Sequence, residues 1–377
     1  MLYLDHAATT MTRPEVREAM APHLGAEFGN PSGIHAVSRR AKNAVEAARE
    51  QAAELIGAER PLEIVFTGGG TESDNLAVAG TALAAGRRGG VVTTATEHSA
   101  VLETARFLKG LGCPVEIVGV DSSGRVDPAD IAAVVDPGTV VVSVMAANNE
   151  TGRVQPVRQV AAAARAINPE VAMHTDAVQA FISEEITVET TGADLITLAS
   201  HKLGGPQGVG LLYVRNGVEL EPVIHGGGQE LERRSGTHNV AGIVGMVKAM
   251  ELAAADREGF RARVGAARDR FEAALRARFP EIVVNASQSR LVQHAHLRIP
   301  GVSVETLLIR LDQGGIAAAA GSACHSGAID VSHVLEAMGL SKEEAAECIR
   351  FSFGWVHTAE DGEPAARRVL AILEELR

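Results

Sequence analysis

The chain has 377 residues, of which 46% are hydrophobic and 22% charged, and its 35 basic and 47 acidic side chains leave a net charge of −12. That length exceeds what one compact core serves, so two domains are expected, and the acidic balance argues against direct nucleic-acid binding, which needs a basic face. No apolar run reaches the roughly 18 residues of a membrane span, and the start, Met1-Leu2-Tyr3-Leu4-Asp5-His6, lacks the pattern of a signal peptide, so a cytoplasmic protein without membrane contact is expected.

In chain order, the first strong helical pattern covers residues 36–56, with small apolar residues at three- and four-residue spacing. Short β-branched runs follow at 62–66, 91–95, 115–120, 139–145, 171–176, 194–199 and 209–214. All seven read as buried strands, with helical patterns between many of them. Repeated strand-helix-strand order implies a mostly parallel sheet covered by helices on both faces, with ligands gathered at the carboxyl ends of the strands. After about residue 256 the texture changes. A long charged helix over 256–279 leads into scattered strands at 291–299, 316–320 and 349–353 and helices at 303–312, 332–338 and 359–376. The expectation is an α/β chain with a large domain over 16–256. A smaller α+β domain would combine 1–15 with 257–377.

Three segments at expected strand ends carry chemistry. Gly68-Gly69-Gly70-Thr71-Glu72-Ser73-Asp74-Asn75 follows a strand and opens a helix. It is either a tight turn capped by Thr71 or a place where backbone N–H groups receive an anion. It is not a nucleotide P-loop, because the GxxxxGK[ST] spacing is missing. In His174-Thr175-Asp176-Ala177-Val178-Gln179, the aspartate can cap a helix, bind a metal or pair with a protonated heterocycle nitrogen. Ala199-Ser200-His201-Lys202 runs into a glycine-rich turn, and its lysine is either a surface residue or an amine whose pKa is lowered for Schiff-base chemistry. The cysteines, Cys113, Cys324 and Cys348, have neither CxxC spacing nor an even count, so no disulfide framework or metal site is expected. Cys113 and Cys348 sit in apolar contexts and read as structural, whereas Gly321-Ser322-Ala323-Cys324-His325-Ser326-Gly327 surrounds its cysteine with small residues.

The order of glycine turn, Asp176 and Lys202 is that of a known family. The chain resembles the cysteine desulfurases, in the long-loop group of the class V aminotransferase-like, fold type I enzymes that use pyridoxal 5'-phosphate (PLP). The resemblance runs from Tyr3-Leu4-Asp5-His6-Ala7-Ala8-Thr9-Thr10 to Ile349-Arg350-Phe351-Ser352-Phe353-Gly354. Between them lie Phe28-Gly29-Asn30-Pro31-Ser32, Thr96-Glu97-His98, Asn148-Asn149-Glu150-Thr151-Gly152 and Gly226-Gly227-Gly228-Gln229-Glu230.

The resemblance implies a seven-stranded, mostly parallel sheet in the large domain, with the catalytic cysteine loop in the smaller one. It implies that Lys202 carries PLP as a Schiff base and moves the substrate Cα proton, that Asp176 pairs with the ring nitrogen and Gln179 with the phenolic oxygen, and that His98 stacks on the ring and serves catalysis by assisting proton transfers. Gly70, Thr71 and His201 would hold the phosphate, together with Ser200 through its side chain or its backbone, the hydroxyl standing in for one that relatives carry at the position of Ala199. Thr237 would reach the phosphate of a neighbouring subunit, making the active unit a homodimer. Leu231 replaces an arginine usual in the family. Arg350, supported by Asn149, would grip the carboxylate of L-cysteine, and Cys324 would take the sulfur as a persulfide, releasing L-alanine. His325 and Val331 stand where threonine and proline are common. Acceptor or scaffold proteins, an iron–sulfur assembly partner among them, would receive the sulfur, and nothing in the chain selects that route over tRNA, cofactor or DNA thiolation. A different PLP enzyme of the same fold, including a selenocysteine lyase, and a non-catalytic scaffold are the alternatives.

Overall fold

The computed structural model describes residues 1–86, 89–286, 288–321 and 332–376. Twelve strands occur among them: β1 (Leu2–Tyr3), β2 (Ile64–Thr67), β3 (Gly90–Thr94), β4 (Val115–Val118), β5 (Thr139–Ser143), β6 (Ala172–Asp176), β7 (Leu195–Ala199), β8 (Gly210–Val214), β9 (Val283–Val284), β10 (His294–Arg298), β11 (Ile316–Ala317) and β12 (Cys348–Ser352). Seven form one sheet in the order β2-β8-β7-β6-β5-β3-β4, and only β8 runs against the rest. This is the expected mostly parallel sheet. Its inner strands β6, β7 and β8 are buried along their whole length, and β5 at all but Val140, because helices lie on both faces.

One strand differs from expectation. β4 was expected to be buried, but it closes the sheet at one edge and leaves Glu116 and Ile117 exposed. Only β3 flanks it, so half of its ladder and much of its surface meets water.

The helix Ala36–Ile56 forms where expected. The His35 ring accepts the Ser38 N–H at its start, Ala41, Val45, Ala48, Ala52 and Ile56 are buried along its length, and Gly57 stops it in the left-handed conformation (φ +68°). Helix Val240–Ala255 ends at Asp256, and the charged helix Arg257–Arg278 starts there. The latter packs on the terminal helix Gly362–Leu376 and on the three-stranded sheet β12-β10-β9. Phe271, Phe351 and Phe353 stack edge-on between them, with ring centroids 5.0 and 5.5 Å apart. The N-terminal arm joins this half: β1 pairs in parallel with β11, and the Leu4 carbonyl accepts the Ser352 N–H of β12 at 2.7 Å.

Candidate active site

The carboxyl ends of the sheet strands converge on one cavity of about 440 Å³. β2 ends in Gly68–Gly70, from which helix Gly70–Asn75 starts. Gly69 has φ +154°, a conformation that side chains resist, and a Cβ on Gly210 of the neighbouring β8 would come within 2.5 Å of the Gly69 carbonyl carbon. Position 210 therefore has no room for a side chain against the turn. Beyond β3, His98 caps helix Ser99–Gly110 with Nδ1 accepting the Ala100 N–H at 3.1 Å. That bond places the proton of the neutral ring on Nε2. β6 delivers Asp176, and β7 runs into the short 3₁₀ turn Ser200–Lys202.

Gly70, Thr71, His98, Asn149, Asp176, Gln179, His201, Lys202 and Arg350 all line the cavity, so nine of the twelve residues singled out in the sequence meet there. Lys202 Nζ donates to the Ala7 and Ala8 carbonyls, each at 2.5 Å. Its pKa is pushed down to about 8, by burial first and then by the positive charge of Arg350. Burial lifts the Asp176 carboxyl, an effect that the Val178 N–H on Oδ1 (2.9 Å) and the nearby His98 and Lys202 oppose. His201 is held neutral, with its pKa lowered to about 4 by burial and by Lys202, and its Nδ1 lies 3.1 Å from the Thr9 hydroxyl. Gln179 donates to the Ala7 carbonyl at 3.0 Å.

The far wall is built differently. Arg350 on β12 donates from Nη1 to the Asn149 carbonyl (2.7 Å) and from Nη2 to Asp5 Oδ1 (2.8 Å), while its buried Nε has no protein partner. Asn149 thus supports Arg350 through its main chain. Asp5 was quoted in the sequence motif without a role; its partnership with Arg350 depends on two chain segments 345 residues apart. Asp74 was missed as well. It lines the cavity from the helix behind the glycine turn, and burial, then the nearby Asp176, raises its pKa well above the usual carboxylate range. Its signal was its place in the glycine motif, four residues after Gly70. Glu97, beside His98, is also buried, and its pKa rises to about 8 although Thr94 and the Met145 N–H hydrogen-bond to it.

Two expected residues, Ser200 and Thr237, lie elsewhere, and a third falls outside the described residues. Ser200 is wholly buried outside the cavity lining, with its hydroxyl against Gly205. A side-chain contact from Ser200 to a ligand in the cavity therefore does not fit. Thr237 is exposed and lines no part of the chain's own cavity. Its segment is held by Arg234, paired with Glu72 at 2.7 Å, and by Glu230, which receives both Nη atoms of Arg49 at 2.7 and 2.9 Å. These bonds fix a turn in which Glu230, Leu231 and Glu232 all have positive φ, so the departure at Leu231 falls on an exposed, strained position. Cys324, with His325 and Val331, lies outside the described residues. Cys113 and Cys348 are buried in apolar clusters, and burial pushes the Cys348 thiol up to about 11, in keeping with structural roles.

The side chains fit PLP. An amine of lowered pKa suits its carbonyl carbon, a buried carboxylate suits its ring nitrogen, and a turn without side chains at a helix start suits its phosphate. A Cβ on Gly70 would come within 3.1 Å of Val178 and intrude on this space. Residues 2–363 match the family described as Aminotransferase class-V, and the chain belongs to that family of PLP enzymes. It is 41% identical over 378 residues to cysteine desulfurase IscS of Dictyoglomus turgidum, a match covering 100% of this chain and 95% of that protein. A solved NifS-like protein superposes with a TM-score of 0.93 at 34% identity, covering 100% of both chains. A structure described as SspA in complex with cysteine matches 94% of this chain and 99% of that one, with a TM-score of 0.81 at 33% identity. Within the family, the chain stands among the cysteine desulfurases. No helix among the described residues is long and apolar enough to cross a membrane.

Proposed function

We propose that the chain converts L-cysteine to L-alanine and passes the sulfur to Cys324 as a persulfide. The observation that carries this reading is the joining, in one cavity, of a low-pKa amine at Lys202, a buried acid at Asp176 and an arginine, Arg350, with an unpaired Nε. A solved relative described as being in complex with cysteine supports the substrate.

PLP, when bound, supplies a ring that withdraws the electron pair left on Cα after proton loss. Lys202 would hold the group covalently, and its neutral amine would take the Cα proton. Asp176 would keep a proton on the ring nitrogen, Gln179 would donate to the phenolic oxygen, and His98 would lie over the ring with Nε2–H available. Gly70, Thr71 and His201 would receive the phosphate. Arg350 grips the substrate carboxylate in a two-pronged ion pair, a geometry that guanidinium suits and ammonium does not. The Cys324 thiolate attacks the substrate sulfur, and the carbon–sulfur bond breaks with its electron pair moving to the carbon side. Protonation of that carbon, and return of a proton from Lys202 to Cα, gives L-alanine. The net change is Cys324–SH plus L-cysteine to Cys324–S–SH plus L-alanine.

Thr237 of a second copy completes the phosphate site in a two-fold homodimer. An open groove of about 800 Å³, lined by Gly68–Thr71, His201 and Gln207–Val209, offers the approach. The half formed by 1–15 and 257–377 acts as the smaller domain and brings Arg350 and Cys324 to the large one. The persulfide passes to acceptor or scaffold proteins, iron–sulfur assembly partners among them, in a cytoplasm that keeps thiols reduced. The test is alanine and sulfide formation from L-cysteine with PLP and a thiol reductant. Cys324→Ala is expected to lose turnover while staying yellow. Sulfide formation by the variant at the wild-type rate would overturn the acceptor role of Cys324.

A further inference from the structure

Gly321 and Ser332 are the described residues that flank the stretch carrying Cys324, and both lie close to the Glu150 carboxylate. The Ser332 hydroxyl donates to Glu150 Oε2 at 2.6 Å. Gly321 has φ +132°, and a Cβ placed on it would come within 2.7 Å of that same Oε2, so the Gly321 backbone lies directly against the carboxylate. Glu150 is wholly buried in a tight turn. Asn148 Oδ1 accepts the Glu150 and Thr151 N–H groups, both at 2.9 Å, and leaves the turn little freedom. The preceding residue, Asn149, holds Arg350 through its carbonyl at 2.7 Å. Two neighbouring contacts reinforce the arrangement. Ala319 exchanges backbone hydrogen bonds with Arg350 at 2.7 and 3.2 Å, and the His333 ring lies 2.9 Å from the Glu97 carbonyl oxygen.

We propose that Glu150 is a positioning residue for the sulfur-transfer step: its carboxylate holds the Ser332 end of the Cys324 stretch on the turn that carries the Arg350 contact, with Gly321 at the other end close beside it. A hydroxyl donating to a buried carboxylate is a strong, directional bond, and here it joins the two halves of one reaction. Substrate capture and thiol placement thereby share one rigid element, with Asn149 serving the first and Glu150 the second. Small errors in such placement slow a reaction far more than they weaken binding.

The inference rests on Cys324 being the sulfur acceptor, and the experiment separates the two. Holoenzyme is mixed with L-cysteine in a single turnover. The cofactor absorbance change reports cysteine binding, and the mass of the alkylated protein reports persulfide on Cys324. For Ser332→Ala, persulfide formation is expected to slow about tenfold while the cysteine concentration giving half the absorbance change stays within about threefold. Ser332→Thr keeps the hydroxyl and is expected to restore the rate. Ser332 also caps helix His333–Ala337, so Glu150→Gln is the second variant; it leaves that cap intact and is expected to slow persulfide formation without weakening cysteine binding. Wild-type persulfide rates in both Ser332→Ala and Glu150→Gln would overturn the role of Glu150. An equal loss of binding and transfer would do the same, since it would mark a merely structural residue. Absence of persulfide from Cys324 in the wild type would instead sink the acceptor reading, and this inference with it.

Discussion

The two walls of the cavity are made in contrasting ways. On one wall each functional side chain follows directly from the strand that presents it: Gly70 after β2, His98 after β3, Asp176 at the end of β6 and Lys202 just past β7. On the other, Asp5, Asn149 and Arg350 come from three distant stretches, and their bonds span 201 and 345 residues. The first wall inherits its geometry from a buried sheet, in which parallel strands hold their ends at one edge whatever the loops do. The second depends on the N-terminal arm pairing with β11 and β12, an assembly of segments far apart in the chain.

The largest effect belongs to the first wall. Lys202→Ala is expected to lower alanine formation by about 10³-fold or more, and borohydride should no longer fix the cofactor to the chain. Covalent fixation in that variant would place the amine elsewhere and break the contrast at its root. Next comes Arg350→Lys, which keeps the charge but loses the fork. It is expected to raise the KM for L-cysteine roughly 30-fold while kcat changes less than about threefold. An unaltered KM would make Arg350 a clamp for Asp5 and the N-terminal arm only. The smallest effect couples the two walls. Lys202 is held down to about 8 by burial and then by Arg350, and only the neutral amine attacks the PLP carbonyl, so uptake of PLP by apoenzyme slows as pH falls below that value. Arg350→Gln removes a positive charge, raises the Lys202 pKa and should move the midpoint of uptake to higher pH by less than about one unit. A midpoint moving down would show that loss of the Asp5 pairing outweighs the direct charge effect.

Legibility in the sequence followed the same division. The glycine turn, Asp176 and Lys202 announced themselves because each is a local departure from an apolar strand. Their meaning came from their order and from family resemblance, since taken singly each had an ordinary structural reading. Ser200 shows where that resemblance ran out: a hydroxyl one residue from the position used in relatives points into the protein, because consecutive residues in a 3₁₀ turn face different ways. Asp74 was overlooked because a carboxyl inside a helix-opening motif reads as solvated, and only burial beside Asp176 gives it a raised pKa. The misjudged strand was β4, whose β-branched residues resemble an inner strand although its place at the sheet edge exposes them.

The sequence by itself determined the sheet's strands and their order of chemistry, since backbone propensity, apolar runs and glycine turns act over a few residues. It also determined family membership and the identity of nine cavity-lining residues. Tertiary structure alone decided that Asp5 pairs with Arg350, that Ser200 turns away, and that Glu150 receives the Ser332 hydroxyl with Gly321 close beside it. Those contacts arise only when segments far apart in the chain are brought together by burial of a common core, and no local pattern encodes which distant partner that burial will select.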